Sequence, residues 1–178
     1  MEKFKWLIAV IAAHPEHKLF GRTRLQKTIK LLQRLGAPID YDYTMHFYGP
    51  YSEGVQADIG LLAKLGLVEE KACTGVDGNT YYVLRAHDAA LSVSDREEIR
   101  NYQEAIDAMS EADAVVLELA ATYDAFREMG SNHEQAMGRL RQKKEAKCDG
   151  GRTEQALELL RSIGLDYDEL RLRKSAIT

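Results

Sequence analysis

Apolar positions recur along the chain at helical and strand spacings. Phe4, Leu7, Ile8 and Ile11 share one helix face, which predicts a helix from Glu2 to about Ala13. His14-Pro15 ends it, because a residue before proline is pushed out of the helical region. Leu25, Ile29, Leu32 and Leu35 repeat the pattern over Thr23 to Leu35; Thr23 and Gln26 form a capping box and Gly36 a terminator. Tyr41 to Tyr48 alternates and is aromatic, which predicts a short strand, and Gly49-Pro50 reads as a turn. Ser52 caps a third helix through Val55, Ile59, Leu62 and Leu65, with Glu53 in its first turn and Gly66 at its end. Leu67 to Cys73 and Thr80 to Arg85 are β-rich and flank the turn Asp77-Gly78-Asn79. Helix, helix, short strand, helix, hairpin is the order of a winged helix-turn-helix domain, assigned to residues 1–88.

Residues 89–178 read as a helical domain with helices at about 94–108, 111–129, 132–147 and 153–163. Ser94 with Glu97, Ser110 with Asp113, and Ser131 with Glu134 supply start signals, and Thr153 begins the fourth helix. Tyr102, Met109, Val116 and Tyr123 recur every seven residues, whereas the companion stripe Ile99 and Ile106 meets the charged Asp113. That slip predicts a break near Ser110 rather than one long coiled coil. The surplus apolar stripe predicts a homodimer. Leu35-Gly36, Leu65-Gly66, Met129-Gly130 and Ile163-Gly164 are helix terminators rather than phosphate loops. The fold class is mainly α with a small β-hairpin, followed by a charged tail from Asp166 to Thr178.

Composition narrows the class. The chain has 178 residues, net charge −4, 45% hydrophobic and 29% charged residues. This is ordinary globular composition, large enough to bury about 70% of its unfolded surface. Two cysteines, Cys73 and Cys148, exclude a disulfide scaffold and any CxxC motif. The apolar run Trp6 to Ala13 is far below the roughly 18 residues of a membrane span. No small-residue cleavage site follows it, so the expectation is a cytoplasmic protein without a targeting segment. Charge is strongly segregated. Residues 1–36 hold eight basic and two acidic side chains, residues 91–135 three and eleven, and residues 136–178 ten and seven. Two readings stay open: the basic block faces a polyanion or acidic partner, or opposite blocks face each other within the chain.

The second helix carries the densest basic patch. Lys27, Lys30 and Arg34 share a face, and Arg22 and Arg24 lie at its start. These cations suit phosphate contacts, and reversing Lys27 and Lys30 to glutamate is expected to abolish such binding with little effect on stability. The third helix is a poor reader of bases: Glu53 and Asp58 repel phosphate, leaving Ser52, Gln56 and Lys64 as candidates. Among the aromatics Tyr41, Tyr43, Phe47, Tyr48 and Tyr51, Phe47 is expected to pack beneath the third helix. Tyr48 and Tyr51 flank the turn and are candidate anchors for a partner. His14 and His17 lack further ligands, and Asp166, Asp168 and Glu169 read as a solvated helix start, so no metal or cofactor is expected. Cys73 and Cys148 have no neighbouring histidine to make a nucleophile, and no P-loop, nucleotide fingerprint or nucleophile elbow is present. The chain is therefore expected not to be an enzyme.

Gly21-Arg22-Thr23-Arg24-Leu25-Gln26-Lys27, followed by His46-Phe47-Tyr48-Gly49-Pro50-Tyr51-Ser52-Glu53, resembles the YwgA-like proteins of bacteria and archaea, as does Leu117 to Tyr123. More distantly, the Leu-Gln-Lys helix and Gly-Pro turn resemble the Panacea domain of antitoxins. The resemblance implies a winged-helix fold and a regulatory role without a mechanism. The expected function is a non-catalytic winged-helix transcriptional regulator binding DNA. The alternative is a protein-binding adaptor or antitoxin-like module on the same scaffold.

Overall fold

Trp6 to Ile11 are six consecutive buried residues on a helix spanning Lys3–Ala13 (α1). This helix is therefore enclosed on all sides rather than lying amphipathic on a surface. The computed structural model describes residues 2–76, 78–87, 90–165 and 167. After α1 come a 3-10 turn (Pro15–His17), β1 (Lys18–Phe20), α2 (Arg22–Arg34), β2 (Thr44–His46) and β3 (Gly49–Tyr51). Next are α3 (Glu53–Lys64), β4 (Val68–Thr74) and β5 (Thr80–Ala86). The remainder is helical: α4 (Val93–Arg100), α5 (Gln103–Glu111), α6 (Ala114–Glu128), α7 (His133–Lys144), a 3-10 turn (Glu145–Cys148) and α8 (Arg152–Ser162).

Two small antiparallel sheets accompany the helices. One has the order β1-β5-β4, with Leu19 opposite Leu84 and Glu70 opposite Leu84 on the other side. Alternation puts Leu19, Val68, Leu84 and Ala86 in the core and leaves Phe20, Lys71 and Arg85 exposed. Sequence pattern anticipates β4 and β5 but misses β1, whose three residues are too few to show a period. The other sheet pairs β2 with β3 through the two-residue turn Phe47-Tyr48. This corrects the expected placement of the turn: Gly49 and Pro50 lie within β3, and the strand predicted over Tyr41 to Tyr48 is confined to Thr44–His46.

Capping corrects several helix boundaries. Gly21, not Thr23, precedes the first turn of α2. Ser52 caps α3 as expected, its Oγ accepting from the Val55 amide. The capping boxes of α4 and α7 are Ser92 with Asp95 and Asn132 with Gln135, each shifted from the expected pair. A break at Asn101-Tyr102 divides the helix expected at 94–108 into α4 and α5. The second break falls at Ala112, and Asp113, the charge that interrupts the apolar stripe, is the N-cap of α6. The four glycine terminators all hold positive φ, between 71° and 93°.

Both halves feed one buried cluster that extends from Trp6 to Leu165. Every residue of α6 from Val116 to Phe126 is buried, because α2, β3, α7 and α8 surround it. Met109, Val116 and Tyr123 are spent inside this core, and Tyr102 packs edge-on against Trp6 at 5.5 Å. The stripe is therefore buried within the chain's own core. Among the described residues no helix is long and apolar enough to cross a membrane. Asp166, Asp168, Glu169 and residues 170–178, and Asp77 of the expected hairpin turn, lie outside the described residues.

Candidate functional site

The two sequence pieces at 21–27 and 46–53 meet and clasp each other. Gln26 Nε2 donates to the Ser52 carbonyl at 2.9 Å, and the Ser52 amide donates to Gln26 Oε1 at 2.9 Å. One buried amide side chain thus satisfies both backbone groups of the residue that caps α3. Lys27 Nζ donates to the Pro50 carbonyl at 2.7 Å. Gly49 sits at φ +88°, and a Cβ there would strike Thr122 Oγ1 of α6. Only glycine combines that backbone with that approach.

The hairpin is also held from the C-terminal half. Lys144 Nζ donates to the Phe47 carbonyl at 2.6 Å and pairs with Glu118 Oε1 at 2.7 Å. Lys147 Nζ pairs with the same carboxylate at 3.0 Å and lies 5.0 Å from the centre of the Tyr48 ring. Lys27, Lys144 and Lys147 therefore surround one buried glutamate. Burial pulls the Lys27 ammonium down to about 8, with Glu118 opposing and the other two lysines reinforcing the shift. Burial likewise lowers Lys144.

Beside this cluster is a cleft of about 310 Å³ lined by Arg22, Thr23, Gln26, Lys27, His46, Phe47, Tyr48, Tyr51 and Gln56. His46 and Tyr51 stack at 4.8 Å, and Phe47 meets Tyr48 edge-on at 5.1 Å. Phe47 is 72% exposed and Tyr48 56%. This corrects the placement of Phe47 beneath α3: the two-residue turn projects it into solvent. Tyr41 is the ring that packs there, its hydroxyl donating to Asp58 at 2.7 Å. The cleft brings together Arg22, Lys27, Tyr48, Tyr51 and Gln56, with Ser52 buried directly behind it. Lys64 stands exposed at the far end of α3 and does not line it.

The basic face expected on α2 points inward, which is a second correction. Lys27 is 2% and Lys30 5% exposed. Lys30 pairs with Glu128 at 2.6 Å, and Arg34 with the buried Asp124 at 3.1 Å. Burial raises the Asp124 carboxyl, while Arg34 and the Tyr167 hydroxyl that bonds it pull the other way. Arg22 forks onto Glu70 with both bonds at 2.6 Å. Arg24 donates to the carbonyls of Met109, Ser110 and Ala112, the orphan acceptors at the end of α5. The physical reason is the acidic block: the carboxylates of α6 lie against the cations of α2. Opposite charges face each other within the chain.

Sequence reasoning missed Glu118, Thr122, Lys144 and Lys147. A signal existed, since Glu118, Thr122 and Asp124 are polar interruptions in an otherwise apolar helix, and Glu118 and Thr122 share a face. His14 is buried, and desolvation holds its imidazole below the ordinary value against the opposing pull of the Val10 carbonyl, 2.7 Å from Nδ1, while His17 Nδ1 turns to the Ala12 carbonyl. Among the described residues no group of three His, Cys, Asp or Glu side chains could hold a metal. Cys73 and Cys148 are unbridged.

The chain matches no family model. Over 53 residues it is 40% identical to the uncharacterized protein YwgA of Bacillus subtilis (strain 168). That similarity spans 30% of this chain and 32% of the relative.

Proposed function

We propose that the protein is a non-catalytic regulatory module on a winged helix-turn-helix scaffold, an adaptor or antitoxin-like protein that recognises a protein partner through the β2–β3 hairpin. The order α1-β1-α2-β2-β3-α3-β4-β5, with β1 added to the β4–β5 hairpin as a wing, supports the scaffold. The observation that carries the protein-binding reading is the engagement of all five α2 cations with partners of the chain itself. A duplex-binding surface needs cations free to displace counterions. The exposed positions of α3 point the same way, because Gly54, Ala57 and Leu61 offer no base-reading group, Glu53 repels phosphate, and Lys64 is a single cation at the far end of the helix. Phe47 and Tyr48, by contrast, are large rings presented on a turn fixed by Lys27, Gln26, Lys144 and Thr122. Rigid aromatic anchors beside an apolar cleft are the usual centre of binding energy in protein interfaces. DNA-binding regulation remains the alternative on the architecture alone.

A photo-crosslinking residue in place of Phe47 tests this in host cells. The expected result is a discrete protein adduct that disappears with Tyr48→Ala, alongside duplex binding no tighter than about 1 μM at physiological salt. Saturable nanomolar binding to one duplex, with no protein adduct, would establish the DNA reading instead.

A further inference from the structure

We propose that two copies of this chain join through the open edge of β4, strand against antiparallel strand about a two-fold axis at Glu70, so that their three-stranded sheets become one sheet of six strands. This surface is separate from the aromatic turn and does not depend on what that turn binds.

The ladder defines the edge. In the order β1-β5-β4, β4 has a neighbour on one side alone. The His87 amide donates to the Leu67 carbonyl and the Gly75 amide to the Asn79 carbonyl, which fixes the phase of the β4–β5 pairing. Glu69, Lys71 and Cys73 therefore turn their backbone groups toward β5, and Val68, Glu70, Ala72 and Thr74 turn theirs outward. Among the described residues no other backbone group bonds the outward-facing ones. Edges of this length are usually shielded by a proline, a bulge or a charge that a second strand cannot match. β4 pairs one-to-one with β5 over all seven residues and contains no proline.

The charges on this edge match their own copy. Glu69 and Lys71 are exposed on the outer face of the sheet, and neither forms an ion pair among the described residues. An axis at Glu70 sets Glu69 of each copy opposite Lys71 of the other, in the closer, non-hydrogen-bonded kind of pair. Moving the axis to Lys71 would set two lysines face to face. At Glu70 the two carboxylates meet on the inner face, where each is already held by Arg22 through two bonds at 2.6 Å. A second copy supplies the matching charges automatically, whereas an unrelated strand does not.

Closure favours the same pairing. The other edge, β1, has three residues, and positive φ at Glu16 and His17 before it and at Gly21 after it turns the chain away. β4 against β4 is thus an isologous contact that limits itself to two copies. In this register Thr74 of the second copy lies opposite Gly66, at the end of α3, where Leu61 is 54% and Leu65 62% exposed and can add apolar area.

Sedimentation equilibrium of the full chain from about 5 to 500 μM tests this. A reversible monomer–dimer equilibrium is expected, with a Kd of about 10–100 μM as suits a small interface. Glu69→Lys and Lys71→Glu should each weaken self-association about tenfold or more. Mixed in equal amounts, the two variants should form a heterodimer as readily as the unaltered chain forms its homodimer, because every Lys then faces a Glu. Ala72→Pro should abolish the dimer and leave the β4–β5 ladder intact, since the Ala72 amide points outward. The two charge variants alter exposed side chains, so they keep the test decisive if Ala72→Pro does not fold. A chain that stays monomeric over the whole range overturns the proposal. So does a dimer untouched by the single reversals, or one that they weaken without recovery in the mixture.

Discussion

Gly49 is where the hairpin comes closest to α6. Its φ of +88° is strained for any L side chain, and the space a Cβ needs is held by Thr122 Oγ1. Gly49→Ala is therefore expected to cost about 2–4 kcal/mol, the sum of backbone strain and overpacking. Urea unfolding of Gly49→Ala, Thr122→Ala and the double variant separates the two. Removing the Thr122 hydroxyl should recover the packing part and leave the backbone part. Equal costs in the single and double variants would show that Thr122 is not the obstacle. At this scale much is visible in sequence, since Ser52 caps α3 as its type and position dictate and the glycines end helices. The purpose of Gln26 and Lys27 is not visible, because their partners are backbone atoms 26 and 23 residues away.

Between elements, α2 and α6 meet through ion pairs rather than a purely apolar seam. Lys30 with Glu128, and Arg34 with Asp124, cross it. Lys30→Glu would set a carboxylate against Glu128 within a largely buried contact. It should destabilise the chain by about 2 kcal/mol, whereas Lys30→Met should cost less than half of that. This replaces the expectation that reversing these charges leaves stability untouched, and chemical denaturation of the two variants decides it. Helical spacing places Lys27, Lys30 and Arg34 on one face but cannot say what covers that face. The segregation of charge along the chain held that information, with an excess of cations in residues 1–36 and of acids in residues 91–135. Choosing between the two readings required knowing that α6 lies across α2.

For the molecule as a whole, the consequence is interdependence. Residues 1–88 include α2 and the hairpin, whose inner surfaces are completed by α6, α7 and the turn after it. Expressed alone, this fragment is expected to lack a cooperative unfolding transition and to bind hydrophobic dye, while the full chain unfolds in a single step. Coincident circular-dichroism and fluorescence transitions in the fragment would show that its own core suffices. The order of the helices and of the β4–β5 hairpin was legible because each of these elements carries its own period. The shared core was not, since no local pattern in α1 or α6 names the element that encloses it.

The grip of Lys144 on the Phe47 carbonyl joins positions 97 residues apart. On the ribosome the hairpin emerges long before that lysine has been synthesised. Lys27 and Lys30 likewise emerge before Glu118 and Glu128, the carboxylates around which they will be arranged. The aromatic turn can thus reach its final setting only near the end of translation, after the helical half has followed it out. The setting of the aromatic turn is completed by the last third of the chain, so a nascent or truncated product carries the aromatic rings without the frame that aims them.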